Sequence, residues 1–508
     1  MKLKNIEFGK TDGKNEAELP KFEELFYNYN KIYETLLKPQ YFIVSGRRGS
    51  GKTTLIEYFL QKNNSNNSFC RKDSYEAFRL NQLIEIKSSS KNKDEYYTIW
   101  QWTILIELAK LIYTKARNLT STDELIILKS FLENNNFHIQ LGGHKTISTI
   151  NETALSGSLK IDVSVETGNI ISQFLSKLAG IFSIQSNKDE KSSITLEAGN
   201  YLNYISSLEN IILKILKQNE NRQFYLIYDE LDSFFTTSPE YKKIILDLIR
   251  CIENLNNNFR KTSINCKIII CLRSDILNII NYPGLNKLLS DSTLELSWNE
   301  NNGMSPLIHL IANKISVSNP EKYNGKTPKE VFYSLFENQK IATKKGAKKT
   351  YIHSHILKKT LLRPRDIVYF FYCLHKNFGE TELIKDNMLF AVEKEYSSYF
   401  LKDIRSELCG HFEEHIIDAC LDLIKKINKR TFSFQELKAK IKELNLAIDD
   451  KTLKNLLEKL FEYGAIGNKL GKGETTRYNW YYLNSSCSFD YNKEIIFHYG
   501  LYKILNLI

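Results

Sequence analysis

None of the eight cysteines belongs to a C-x-x-C pair, and several, such as Cys266, Cys271 and Cys420, lie inside apolar runs. The spacing therefore argues against a structural zinc site or a disulfide framework, and the thiols read as reduced core groups. No apolar run approaches the roughly 18 residues needed to cross a bilayer. The opening Met1-Lys2-Leu3-Lys4-Asn5-Ile6-Glu7 lacks the apolar centre of a signal peptide. These absences predict a soluble, cytoplasmic protein with no membrane partner. H-E-x-x-H and a nucleophile elbow are also missing, which argues against zinc proteolysis and serine hydrolysis.

What is present suits a large intracellular protein. With 508 residues, 42% of them hydrophobic, the chain exceeds one core and predicts two or three domains. The net charge of +11 is moderate, but its distribution is uneven. Between Lys340 and Arg365 stand nine Lys or Arg and no acid. Such a stretch either tracks the phosphates of a nucleic acid or forms a solvated loop.

One motif carries most of the chemistry. Gly46-Arg47-Arg48-Gly49-Ser50-Gly51-Lys52-Thr53 matches G-x-x-x-x-G-K-[ST], follows the apolar run Tyr41-Phe42-Ile43-Val44 and precedes the helical pattern that begins at Thr54. A strand, a glycine loop and a helix start in that order suit a nucleoside triphosphate. The glycines let backbone N–H groups wrap the phosphates, and the helix dipole adds positive potential. Lys52 is expected to reach the β and γ phosphates, and the Thr53 hydroxyl to ligate Mg²⁺.

A second run, Phe224-Tyr225-Leu226-Ile227-Tyr228, has the continuous apolarity of a strand buried on both faces, and it ends in Asp229-Glu230-Leu231-Asp232. Asp229 is expected to hold the Mg²⁺ shell and Glu230 to orient and deprotonate an attacking water; Asp232 reads as a further acid or a helix cap. A third run, Cys266–Leu272, ends in Arg273-Ser274-Asp275. Arg273 reads either as a phosphate sensor or as the partner of Asp275 or Asp229. In Leu361-Leu362-Arg363-Pro364-Arg365-Asp366, Pro364 suits a first helical turn, so two arginines stand at a helix start. Cations there make sense beside an anion, although a bridge to Asp366 is the alternative.

These four pieces, in this order, resemble the AAA+/STAND group of P-loop ATPases. The likeness is to prokaryotic members with a D-E-L-D acidic motif, an R-S-D-I strand end and an R-P-R-D lid helix, many of them found in anti-phage defence operons. The resemblance implies an α/β three-layer core with a helical lid. It also implies ATP and Mg²⁺ as cofactors, and Arg363 or Arg365 as the lid arginine that touches the γ-phosphate. It further implies a switch that acts on a homo-oligomer or a separate effector protein.

The remaining organisation is coarser. Phe22, Leu25, Phe26, Tyr29, Ile32, Tyr33 and Leu36 predict an amphipathic helix within residues 1–38. Leu83–Ile86 reads as a strand, Trp100 and Trp102 as core residues, and 137–195 as an inserted β-rich or loose segment. The expected domains are an ATPase core over 1–300, a lid over 301–400 and a winged-helix-like unit over 401–508. In that last unit Phe434–Leu444 and Lys451–Tyr463 read as helices, and Ala465–Leu470 and Tyr478–Leu483 as strands. Its 17 basic and 15 acidic side chains leave a net of +2, so it suits protein docking as well as DNA. The reading is an ATP-hydrolysing switch in defence; the rival is a DNA-remodelling ATPase related to replication initiators.

Overall fold

Long apolar runs become the sheet. Five strands, β1 (Ile43–Gly46), β2 (Ser68–Ser74), β3 (Gln223–Asp229), β4 (Cys266–Arg273) and β5 (Thr293–Glu295), pair wholly in parallel in the order β2-β3-β4-β1-β5. β1 and β4 are buried along their full lengths, as strands covered on both faces must be. β4 therefore lies between the strand that feeds the glycine loop and the strand that carries the acids. In this computed structural model the described residues are 1–65, 67–74, 95–134, 158–162, 193–197, 202–231, 239–280, 284–299, 304–342, 348–471 and 473–507.

The chain divides into two compact units, one comprising Lys31–Arg47 and Phe59–Glu295, the other Met1–Asn30, Arg48–Tyr58 and Leu296–Ile508. Helix α1 (Lys52–Asn63) leaves the glycine loop. In the sheet unit, α2 (Glu95–Thr114), α3 (Leu202–Gln218) and α4 (Pro239–Lys261) flank the strands and complete the hydrophobic core. Trp100 and Trp102 are buried in it as expected, and the Trp100 indole N–H donates to the Ile244 carbonyl at 2.9 Å. The expected strand at Leu83–Ile86 lies outside the described residues, as does most of 137–195. Within that segment and just beyond it, Ser158–Asp162 pairs antiparallel with Ser193–Glu197.

The second unit is mainly helical, with α5 (Pro306–Ser318), α6 (Pro364–Phe378), α7 (Asp386–Leu408), α8 (Glu414–Ile427), α9 (Phe434–Glu443) and α10 (Asp450–Glu462) around one continuous core. α7 runs through residue 400, so the segments before and after it share that core. The C-terminal part has a four-stranded sheet, β6 (Thr431–Phe432), β7 (Ile466–Leu470), β8 (Arg477–Asn479) and β9 (Glu494–Phe497), in the order β6-β9-β7-β8. After α8 the chain runs through β6, α9, α10 and the hairpin β7–β8 to β9. The sequence reading missed β6 and β9, and extended the strand from Tyr478 to Leu483 although pairing stops at Asn479.

One further expectation is corrected. The amphipathic pattern over Phe22–Leu36 is not one helix but two short ones, Phe22–Leu25 and Ile32–Leu37. Lys21, Asn30 and Lys31 adopt left-handed backbone at φ +62°, +51° and +55°, and a right-handed helix cannot continue through such residues.

Candidate functional site

The glycine loop is shaped by two left-handed residues. Gly49 and Gly51 have φ of +78° and +98°, values that cost other L-residues about 1–2 kcal/mol each. Between them Ser50 is buried, its hydroxyl without a hydrogen-bond partner, while its carbonyl accepts the Trp298 indole N–H at 2.9 Å. α1 then opens at Lys52, and Lys52, Thr53 and Thr54 are all half-buried. The N-terminal segment presses on this helix start. A Cβ added at Gly13 would fall 2.7 Å from the Thr54 amide nitrogen, so only glycine fits there.

Helices α6 and α7 hold the same loop from another direction. Arg363 is the N-cap of α6, and its side chain is 4% exposed. Its guanidinium donates to both Asp366 oxygens at 3.0 and 2.7 Å, to Asp403 at 2.8 Å and to the Arg48 carbonyl at 3.2 Å. Burial opposes ionisation of Asp403, yet the charge and hydrogen bond of Arg363, with Arg48 and Arg365 nearby, hold its carboxyl below the usual carboxylate range. Arg365 is differently placed. Its amide donates to the Gly49 carbonyl at 3.3 Å, and its Nε donates to the Thr11 carbonyl at 3.2 Å. Its own Asp403 contact is a looser 4.0 Å. Arg48 reaches the other way, donating to the Ser406 hydroxyl at 2.9 Å on α7.

In the sheet unit the acids stand at strand ends. Asp229 closes β3 and is 1% exposed. One of its oxygens accepts the Glu230 amide at 2.9 Å; the other makes no hydrogen bond and has the Lys72 ammonium 3.4 Å away. Glu230 is half-buried with φ +59°, a left-handed turn that takes the chain off the strand. Asp232 lies outside the described residues. Arg273 closes β4, where its Cα partner in β1 is Gly46. Its guanidinium grips Asp275 through two hydrogen bonds of 2.9 and 2.7 Å, one of the two partners the sequence left open.

The structure thus gathers Arg48, Gly49, Arg363 and Arg365 in one unit, and Gly46, Asp229, Glu230 and Arg273 at neighbouring strand ends in the other. Four contributors escaped the sequence reading: Lys72, Trp298, Asp403 and Gly13. Asp403 follows Arg363 by 40 residues, and no spacing rule links them.

Within the sheet unit, Asp229 offers a buried carboxylate oxygen free of hydrogen bonds, the kind of donor a hard cation takes. Among the described residues no three His, Cys, Asp or Glu form a metal cage.

The family model of the FunZ-associated C-terminal helical domain matches residues 306–405, which hold α5, α6 and most of α7. No curated protein matches the chain. Among the described residues no helix is long and apolar enough to cross a membrane.

Proposed function

We propose that the chain is an ATP-binding and ATP-hydrolysing switch that acts on an oligomer or a partner effector, in a prokaryotic anti-phage defence system. The observation that carries this reading is the left-handed pair Gly49 and Gly51, which turns the loop directly off a buried parallel strand and into the N-terminus of α1. The position of β4 between β1 and β3 supports it, because that extra strand marks the additional-strand class of P-loop ATPases. The defence context rests on the resemblance of the four motifs.

In this reading the backbone of Gly46–Thr53, with Arg47, Arg48 and Thr54 around it, wraps the phosphates, and Lys52 neutralises their β and γ oxygens. Thr53 and Asp229 would hold Mg²⁺, which supplies further charge neutralisation at the phosphoryl oxygens. Glu230 accepts the proton of the attacking water and orients its lone pair. Arg365, whose guanidinium is less committed than that of Arg363, is the lid residue assigned to the γ-phosphate. Arg363 is assigned to holding the Arg48 carbonyl in place. Arg273 is kept as a positioning group at the strand end through Asp275.

For the DNA-remodelling alternative, two of the C-terminal lysines that would meet DNA, Lys459 and Lys469, stand in ion pairs with Glu462 and Glu494. The deciding experiment is ATP binding and phosphate release by the wild type, Lys52→Ala and Glu230→Gln. Lys52→Ala is expected to lose both, and Glu230→Gln to bind ATP without turning it over. Normal hydrolysis by either variant would refute the roles assigned.

A further inference from the structure

The roles above use only the last two of the nine basic residues between Lys340 and Arg365. Among the others, Lys340 lies beside a small aromatic platform. Lys340–Ile341 and Thr350–Tyr351 pair antiparallel, which sets Lys340 directly opposite Tyr351. The Tyr351 ring is 42% exposed, a large apolar surface left in water. It stacks on His353 with centroids 5.5 Å apart and planes 27° apart, and the Lys340 ammonium lies 4.7 Å from its centroid. The Tyr333 hydroxyl bonds His353 Nδ1 and so fixes the imidazole beneath.

Between Lys340 and Lys358 the chain carries no acid. Partial burial, and then the charge of Lys329, push the His353 pKa below its ordinary value. Lys329, Lys340, Lys348, Lys349 and Lys358 are all exposed. Lys359 differs, being half-buried and paired with Glu393 at 3.2 Å, so it belongs to the lid core rather than to this surface.

We propose that the paired strands Lys340–Ile341 and Thr350–Tyr351 bind single-stranded nucleic acid, with a base replacing the Lys340 ammonium over the Tyr351 ring and phosphates on Lys340, Lys348 and Lys349. An exposed ring beside several cations is what an unpaired base and its phosphates require, because stacking accepts any base and the cations replace condensed counterions. A duplex hides its base faces and makes no use of the ring. An acidic peptide would engage the lysines and leave Tyr351 idle.

The test measures fluorescence anisotropy of a labelled, mixed-sequence single-stranded oligonucleotide with the full chain over a salt series and without ATP. Wild type is expected to bind with strong salt dependence. Tyr351→Ala is expected to weaken binding about 5- to 160-fold, the range for one base–aromatic stack. The double change Lys348→Glu and Lys349→Glu is expected to reduce the log–log salt slope by about 1.4, at about 0.7 for each single-strand phosphate contact. All three positions are at the surface, so the variants should melt with the wild type. Absence of salt-dependent binding by the wild type overturns the proposal, as do variants that bind like the wild type. Duplex binding indifferent to Tyr351→Ala also overturns it, as does equal capture of polyglutamate. Because no triphosphate is needed, a negative result leaves the ATPase reading standing.

Discussion

Replacing Asp403 by Asn tests whether the lid truly braces the loop. Asp403 accepts from Arg363 at 2.8 Å, and Arg363 in turn donates to the Arg48 carbonyl. Asn keeps the shape and one acceptor but loses the charge. Removing one partner from a buried ion pair costs about 3–5 kcal/mol when the other charge is stranded. Here Asp366 continues to grip Arg363 through both oxygens, so the loss is nearer that of one charged hydrogen bond, about 2 kcal/mol. For a unit of this size that corresponds to a fall in Tm of about 4–8 °C, readable by scanning calorimetry.

The pH dependence makes the test stricter. The folded-state carboxyl of Asp403 ionises below its unfolded value of about 3.9. Its stabilisation is therefore complete above that value and disappears as pH falls through the lower, folded one. The gap between wild type and Asp403→Asn should be constant from neutral pH to about pH 4 and close below it. An unchanged Tm at neutral pH, or a gap that widens on acidification, refutes the bracing role.

Other outcomes follow from single positions. Gly51→Ala should cost about 1–2 kcal/mol from its backbone alone, because its Cβ would meet nothing within 4 Å. Gly49→Ala should cost more by calorimetry, since its Cβ would press on the Arg365 side chain at 3.0 Å. Lys72→Met should destabilise the protein by about 1–3 kcal/mol by leaving the buried Asp229 oxygen without its cation, and Mg²⁺ should then restore more Tm than in the wild type; equal recovery would count against Asp229 as a ligand. Lys267 is buried and donates to the Leu36 and Lys38 carbonyls, and burial, with Arg260 nearby, pushes its pKa down to about 7. The unfolded lysine binds its proton up to about pH 10.4, so the wild type should gain stability relative to Lys267→Met as pH rises between those values, by at most about 1.4 kcal/mol per pH unit; a flat difference in denaturant melts would contradict this.

Buried parallel strands announce themselves, and Phe224–Tyr228 and Cys266–Leu272 were readable because both of their faces are apolar. β2 was not. Its sequence, Ser-Phe-Cys-Arg-Lys-Asp-Ser, lies at the sheet edge, where half its hydrogen bonds need no sheet partner and charged side chains are tolerated. β5 is three residues long and gives no pattern at all. The glycine loop and strand-end acids were legible because local backbone geometry restricts which residues fit. The bracing of Arg363 was hidden for the opposite reason: its partner arrives from another helix, and distant pairing leaves no local trace. The broken helix near Asn30 was misread because spacing at three and four reports which side chains face inward, not whether the backbone between them is continuous.

The course of α7 limits how this protein can be divided. Near its end the helix presents Asp403 and Ser406 to the arginines, while a turn or two earlier Ser397 donates to the Gly500 carbonyl and Phe400 packs where any side chain at Gly500 would sit. A single rod is thus clamped at one stretch by the last residues of the chain and charged at the next with steadying the lid. Trimming the C-terminal tail would therefore loosen the brace that this helix gives to Arg363 and Arg48.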